Sequence, residues 1–258
     1  MQKPDMYEDL EASLHDAFWE AEGGSAESPL LEGFLEKHSG TALELGCGSG
    51  RLLLPLLEKG FLIEGLDNSP AMLEMCAEKC VSHQPILHSA NIGDFSTSSS
   101  YSAITIPAFT LQFISPEELP DVFFNIRNHL HPGGGLYITT FIPWAEITGE
   151  LEEGEWFLDQ EMKHSNGNTA RCHTRFQINR MSQRLSREHR YEISDKEDNV
   201  IETSNSLHKL NWFWPNELSR FLETAGYKVD KMIGDFDTTE PFDENSHIVT
   251  LYCTLDED

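Results

Sequence analysis

Basic residues are scarce in this chain. Eighteen Lys and Arg stand against 44 Asp and Glu, for a formal net charge of −26. Such a surface repels phosphate backbones and anionic bilayers, which argues against broad nucleic-acid or membrane binding. Cysteine is sparse as well. The five, at positions 47, 76, 80, 172 and 253, are odd in number and contain no CxxC pair, so they support neither a disulfide framework nor a zinc site. Cys76 and Cys80 fall one helical turn apart and read as two small buried side chains. No run approaches the roughly 20 apolar residues of a membrane helix. The opening MQKPDMYEDLE has no apolar stretch of the kind a secretion signal carries. The expectation is a soluble protein of a reducing cytoplasm. Internal repeats and long low-complexity tracts are also lacking, and the serine-rich run from Ser96 to Ser100 reads as a short loop.

What is present is an ordinary folding composition. The 258 residues are 39% hydrophobic and 24% charged, enough for one core with a sizeable insertion. Residues 5–38 predict helix with a Gly23-Gly24 break, with Leu10, Leu14, Phe18 and Trp19 at near-helical spacing. Phe18 and Trp19 are expected to be buried against a sheet. From position 41 strand and helix alternate. Strands are predicted at 41–45, 61–66, 85–89, 101–107, 136–141, 227–233 and 247–254. Helices are predicted at 51–59, from Pro70 behind a Ser69 cap, at 116–131 and at 215–225 before Gly226. The Pro132-Gly-Gly-Gly135 segment reads as a turn. This rhythm predicts an α/β fold with a doubly wound, seven-stranded, mostly parallel sheet and a final antiparallel strand. Between 142 and 212 it breaks. Arg171, His173, Arg175, Gln177 and Asn179 alternate with Cys172, Thr174, Phe176 and Ile178, a period of two that predicts a small antiparallel β insertion of about three strands. The expected organisation is a helical cap at 1–40, a main domain at 41–141 and 213–258, and a β-rich lid at 142–212.

The informative stretch is Glu44-Leu-Gly-Cys-Gly-Ser-Gly50, between a predicted strand and a helix. Its glycines clear the turn of side chains, so the backbone can approach a ligand and the next helix can present its N–H groups. Asp67 closes the second strand beside that turn, where a carboxylate can accept from both hydroxyls of a ribose. Together they point to an adenosine-containing ligand. A dinucleotide fold prefers G-x-G-x-x-G; here the third glycine comes one residue early, which disfavours an NAD-dependent dehydrogenase.

This pattern resembles the class I S-adenosylmethionine-dependent methyltransferases. Asp67-Asn-Ser-Pro-Ala-Met72 resembles the family's second motif, in which an apolar residue after the ribose acid packs on adenine. Asn91-Ile-Gly-Asp-Phe95 resembles the segment after the third strand, with Asn91 where an Asp is usual. His131-Pro-Gly-Gly-Gly-Leu-Tyr-Ile138 and Trp214-Pro-Asn-Glu-Leu218 with Ala225-Gly-Tyr-Lys-Val229 resemble its later turn, helix and strand. The resemblance implies S-adenosylmethionine as methyl donor, S-adenosylhomocysteine as product and no metal. It implies cofactor contacts from Tyr7, Glu44, Gly46, Cys47, Gly48, Gly50, Asp67, Asn68, Met72, Asn91, Ile92, Pro107 and Phe109.

The insertion resembles the lid of small-molecule N- and O-methyltransferases. Candidate substrate residues are Thr110, Gln112, Trp144, Trp156, Arg175, His208 and Trp212. Seven of the 18 basic residues fall between Lys163 and Arg190, against the single acid Glu188. That reads either as a cationic face for an anionic group or as solvated strand faces. No catalytic residue is assigned, because an activated methyl group needs alignment more than a base. The expected reaction is in-line methyl transfer to a small-molecule nitrogen or oxygen, by a monomer or homodimer. The alternatives are a protein or RNA methyltransferase, or a non-catalytic cofactor-binding regulatory or partner protein.

Overall fold

A computed structural model describes residues 7–21, 26–163, 167–239 and 242–256. In chain order these form α1 (Asp9–Ala21), α2 (Ser28–Lys37), β1 (Ala42–Leu45), α3 (Leu53–Glu58), β2 (Ile63–Asp67), α4 (Pro70–Lys79), β3 (Leu87–Ser89) and β4 (Tyr101–Ile106). A short 3-10 turn (Thr110–Phe113), α5 (Leu119–His129), β5 (Leu130–Phe141) and α6 (Trp144–Thr148) follow. Then come β6 (Phe157–Lys163), β7 (Thr169–Asn179), β8 (Arg184–Ser194), β9 (Val200–Asn211), α7 (Pro215–Thr224), β10 (Tyr227–Gly234) and β11 (Ile248–Leu255). The predicted Gly23-Gly24 break lies outside the described residues. No described helix is long and apolar enough to cross a membrane.

The chain divides into two units, one of residues 26–143 and 211–258, the other of residues 1–25 and 144–210. Residues 26–40, grouped with the helical cap on sequence alone, therefore go with the parallel sheet.

In the first unit seven strands run in the order β10-β11-β5-β4-β1-β2-β3. β1 pairs in parallel with both β2 and β4, while β11 is antiparallel to β5 and β10. The chain therefore leaves β1 toward one side and returns on the other, which makes the C-terminal end of β1 a topological switch point. All four residues of β1 are buried, as expected of a strand covered on both faces. Leu31, Leu43, Leu45, Leu53, Ile104 and Ile106 are fully buried in this unit, each burial stabilising by roughly 1.5–3 kcal/mol. Ser69 caps α4 as predicted, its hydroxyl accepting from the Met72 N–H at 3.2 Å. Gly226 ends α7 at φ +86°.

The predicted turn at 132–135 is instead part of β5. Pairing with β4 slips from Tyr101↔Leu130 to Ala103↔Gly135, so the Pro-Gly-Gly segment bulges from the edge of the ladder. Proline has no N–H to offer there, and a side chain on Gly134 would lie 2.8 Å from the His131 carbonyl.

In the second unit the strand order is β6-β7-β8-β9. Four strands stand where the alternation predicted three. The missed one, β6, carries a bulge between Leu158 and Gln160, which breaks the period-two signal. α1 covers one face of this sheet, with Leu10, Leu14 and Phe18 packed on Ala170, Cys172 and Tyr191. Phe18 is buried as expected, whereas Trp19 is half-buried.

Candidate cofactor site

The glycine turn leaves β1 directly. Gly46, Gly48 and Gly50 have φ of +75°, +51° and +81°, a region costly for residues with a side chain. Space adds a second requirement. A Cβ on Gly46 would collide with the Thr110 methyl and lie 2.6 Å from its hydroxyl, and one on Gly50 would lie 2.7 Å from Cys76 Sγ. The N–H groups of Gly46 and Cys47 both donate to the Leu66 carbonyl, at 2.7 and 3.0 Å, tying the turn to β2. One residue further on, Asp67 accepts from the Gly48 N–H at 2.9 Å through Oδ2 and from the Ser69 N–H at 2.8 Å through Oδ1. Its carboxylate thus bridges the glycine turn and the head of α4.

Glu44 is buried beneath this turn. Its Oε2 has no hydrogen-bond partner among the described residues. Burial drives its carboxyl well above the usual range, and the neighbouring Cys76, Glu27 and Asp67 push the same way against Arg51. Cys47, Cys76 and Cys80 are free thiols buried behind the turn, as the helical spacing of the last two predicted. Met72 is buried in the first turn of α4, and Asn68 is exposed. After β3, Asn91 accepts from the Gly93 N–H at 3.0 Å, a local turn that sets Ile92 into the core.

The segment after β4 closes the first unit's set. Ala108 and Phe109 both have positive φ, +51° and +66°. The Phe109 ring meets that of Phe141 edge to face at 5.2 Å. Thr110 lies over Gly46. Two residues expected at the substrate do other work. Gln112 is fully buried and clamps β5, donating to the Phe141 carbonyl at 3.1 Å and accepting from the Phe141 N–H at 2.8 Å. Trp212 is a core residue, 2% exposed. Gln112 is structural here because both ends of its amide are bonded to the backbone of Phe141.

Tyr7, Trp144, Trp156, Arg175 and His208 belong to the second unit. The Tyr7 ring lies 5.3 Å from that of His15 and 5.2 Å from that of His208. Glu11 on α1 is the hub of this interior. It pairs with His208 Nε2 at 2.8 Å and accepts from Ser206 at 2.9 Å and Tyr191 at 3.1 Å. Burial raises its pKa, but the bond and charge of His208, with Ser206, outweigh that and leave it below the usual value.

His189 is held neutral by burial, its pKa lowered to about 3, with the charge of His208 acting the same way. Thr174 donates to Asp159 at 2.7 Å and so accepts from His189 Nδ1 at 2.8 Å. Ligand atoms of Asp159, Cys172 and His189 lie within 4.8 Å of one another. The Thr174 hydroxyl already bonds two of them, and burial pushes the Cys172 thiol up to about 12, so the arrangement is a hydrogen-bond relay. Arg175 and Arg190 stand 4.8 and 4.9 Å from the Trp156 ring centroid.

Four of the seven basic residues in the arginine-rich stretch are paired with acids in space. Arg171 pairs with Glu161 and Asp198, Arg175 with Glu188, Arg187 with Glu146, and Arg190 with Glu192. Solvated, paired strand faces therefore describe it better than a cationic platform.

Residues 42–134 match the model of a family described as a methyltransferase domain. YqeM of Bacillus subtilis (strain 168), named a methyltransferase, is 24% identical over 207 residues, covering 78% of this chain and 79% of that protein. Residues 42–134 thus carry a methyltransferase domain, as the resemblance to the class I S-adenosylmethionine-dependent methyltransferases implies. A carboxy-S-adenosyl-L-methionine synthase of Vibrio campbellii is 32% identical over 152 residues, covering 55% of this chain and 60% of the synthase. The fold of KedS8, a sugar N-methyltransferase from Streptoalloteichus sp. ATCC 53650, matches with a TM-score of 0.73 at 19% identity, over 100% of this chain and 98% of that one. S-adenosylmethionine is the cofactor of this enzyme class, and the residues present fit it. A turn cleared of side chains, a bridging carboxylate at the end of β2 and an unused buried carboxylate oxygen on Glu44 match a nucleoside with cationic centres.

Proposed function

We propose that this methyltransferase delivers its methyl group to a nitrogen or oxygen of a small molecule by in-line displacement. The observation that carries the cofactor half is the Asp67 carboxylate at the end of β2, fixed against the glycine turn by the Gly48 and Ser69 N–H groups where a ribose would lie. S-adenosylmethionine supplies a methyl carbon already activated by its sulfonium, so the protein's task is orientation and exclusion of water. Gly46, Cys47, Gly48 and Gly50 present backbone to the cofactor. Asn68, Met72, Asn91 and Ile92 frame its adenosine end, and Pro107 and Phe109 its methionine end. Glu44 offers a buried carboxyl oxygen to accept from its amino group. A net charge of −26 disfavours polyanionic acceptors such as RNA, and the sugar-amine specificity in the name of KedS8 supports a small acceptor.

Calorimetry with S-adenosylhomocysteine tests the cofactor half. The native protein binds with roughly micromolar affinity, and Asp67→Ala weakens binding about a hundredfold, since two charge-assisted hydrogen bonds amount to about 3 kcal/mol. Unchanged affinity in that variant removes the ribose role. Incubation with S-adenosylmethionine and a panel of amino sugars, amines and alcohols, read by mass, tests the acceptor half. Methyl gain by a panel member is the expected result. Transfer only to RNA or protein reassigns the acceptor, a carboxylated cofactor points to synthase-like chemistry, and intact binding without turnover points to a regulatory or partner role.

A further inference from the structure

Glu27 lies far from every motif of the cofactor site in sequence, and its side chain is 4% exposed. It stands just before α2, and its carboxylate gathers three donors. Oε2 accepts from the Ala108 N–H at 3.1 Å, across 81 residues of chain. Oε1 accepts from the Tyr137 hydroxyl at 3.1 Å and the Thr139 hydroxyl at 2.5 Å, both on β5. A backbone N–H can only donate, so a group with acceptors on both sides is what this position requires.

The donor it holds is not an ordinary one. Ala108 and Phe109 are consecutive non-glycine residues in the left-handed region, at φ +51° and +66°. Such a pair persists only where the surroundings over-determine it. Gln112 pins the far end of the segment to Phe141, and Glu27 pins the near end. Between them sits Thr110, whose side chain covers Gly46.

We propose that Glu27 is a positioning residue of the cofactor site: it keeps the 107–110 turn left-handed, so that Phe109 and Thr110 stay fixed over the first glycine of the binding turn. The proposal rests on the reading that this turn binds S-adenosylmethionine. Glu27 itself touches no reacting atom; it acts through the Ala108 N–H. Burial raises its carboxyl pKa, so a charge is desolvated to make these contacts, a cost that an alanine in the same place would avoid.

The test is a set of S-adenosylhomocysteine affinities with melting temperatures alongside. Glu27→Ala should weaken binding about tenfold at a temperature where the variant is folded. Glu27→Gln, with its oxygen toward Ala108 and its amide toward the two hydroxyls, should stay within about threefold of native. The decisive variant is Glu27→Ala with Ala108→Gly. Glycine tolerates positive φ, so it should recover most of the lost affinity without restoring the carboxylate. A merely structural Glu27 gives the opposite pattern, a lowered melting temperature with unchanged affinity and no rescue, and that overturns the proposal.

Should Glu27→Ala fail to fold, Glu27→Asp carries the test. It keeps the charge but is one methylene short, so its affinity should fall about three- to tenfold, and native affinity overturns the proposal. Asp67→Ala serves as the reference. If it binds normally, the cofactor reading has failed; if it loses binding while Glu27→Ala does not, only the role of Glu27 has failed.

Discussion

In the unit built on the parallel sheet, two buried carboxyls, Glu27 and Glu44, are pushed upward by an apolar core. In the unit that carries α1, a buried polar network lies beside the apolar cluster of Leu10, Leu14 and Phe18. Glu11 is drawn below its usual value and His189 is lowered to about 3, with Thr174, Tyr191, Ser206 and His208 bonded around them. The first unit is held mainly by apolar burial and places a few carboxylates where a ligand or a strained turn needs them. The second adds to its apolar cluster a hydrogen-bond network around Glu11 that depends on each partner being present.

The largest consequence of that difference falls on Glu11. Glu11→Ala leaves His208, Tyr191 and Ser206 without their common acceptor and should destabilise the second unit by about 3 kcal/mol. Hydrogen exchange of peptides from β7 and β8 should accelerate, while β1 and β4 keep native protection. Equal loss in both units would erase the distinction.

Acid should then separate the two. His189 has a folded pKa of about 3 against 6.5 unfolded. Between those values the unfolded chain holds more protons, so the second unit loses stability as pH falls, by up to about 1.4 kcal/mol per pH unit. Glu11 adds the same sense below 4.5. For Glu27 and Glu44 the sign reverses. From their raised folded values down to 4.5 the folded state holds more protons, so the first unit gains stability on mild acidification. Hydrogen exchange at pH 7 and 5, corrected for intrinsic rates, should show protection falling in β7 and β8 but not in β1 and β4. A His189→Asn variant should flatten the first trend.

The smallest effect belongs to the outer face of the second unit. Arg175 and Glu188 are 40% and 42% exposed in their ion pair, so Arg175→Ala should change stability by under about 1 kcal/mol, the Trp156 contact included. A loss above about 2 kcal/mol in urea unfolding would mean that surface pairs, and not the Glu11 network, hold that sheet.

Much of the first unit was legible in the sequence, because its strands are short, apolar and punctuated by glycine. Gly46, Gly50 and the Ser69 cap follow from local backbone chemistry and could be named in advance. The misses have physical causes. β6 was missed because its bulge interrupts the alternation, and Pro132–Gly135 read as a turn because a bulged strand edge uses the same residues. Gln112 looked like a substrate contact until its partners proved to be the backbone of Phe141. The arginine run looked cationic because Glu146, Glu161, Glu192 and Asp198 lie outside it along the chain and rejoin it only in the fold. Glu27 carried no local signal at all, since its meaning lies in an N–H 81 residues away.

Sequence alone was enough for the alternating strands and helices, the glycine turn and the acid at the end of β2, since these depend on neighbours along the chain and on the period of apolar residues. Tertiary structure decided which buried carboxyls are partnered, which arginines are neutralised and which loop residues are clamped. Those outcomes depend on groups brought together from distant segments, and burial sets their energies only once the surrounding atoms are in place.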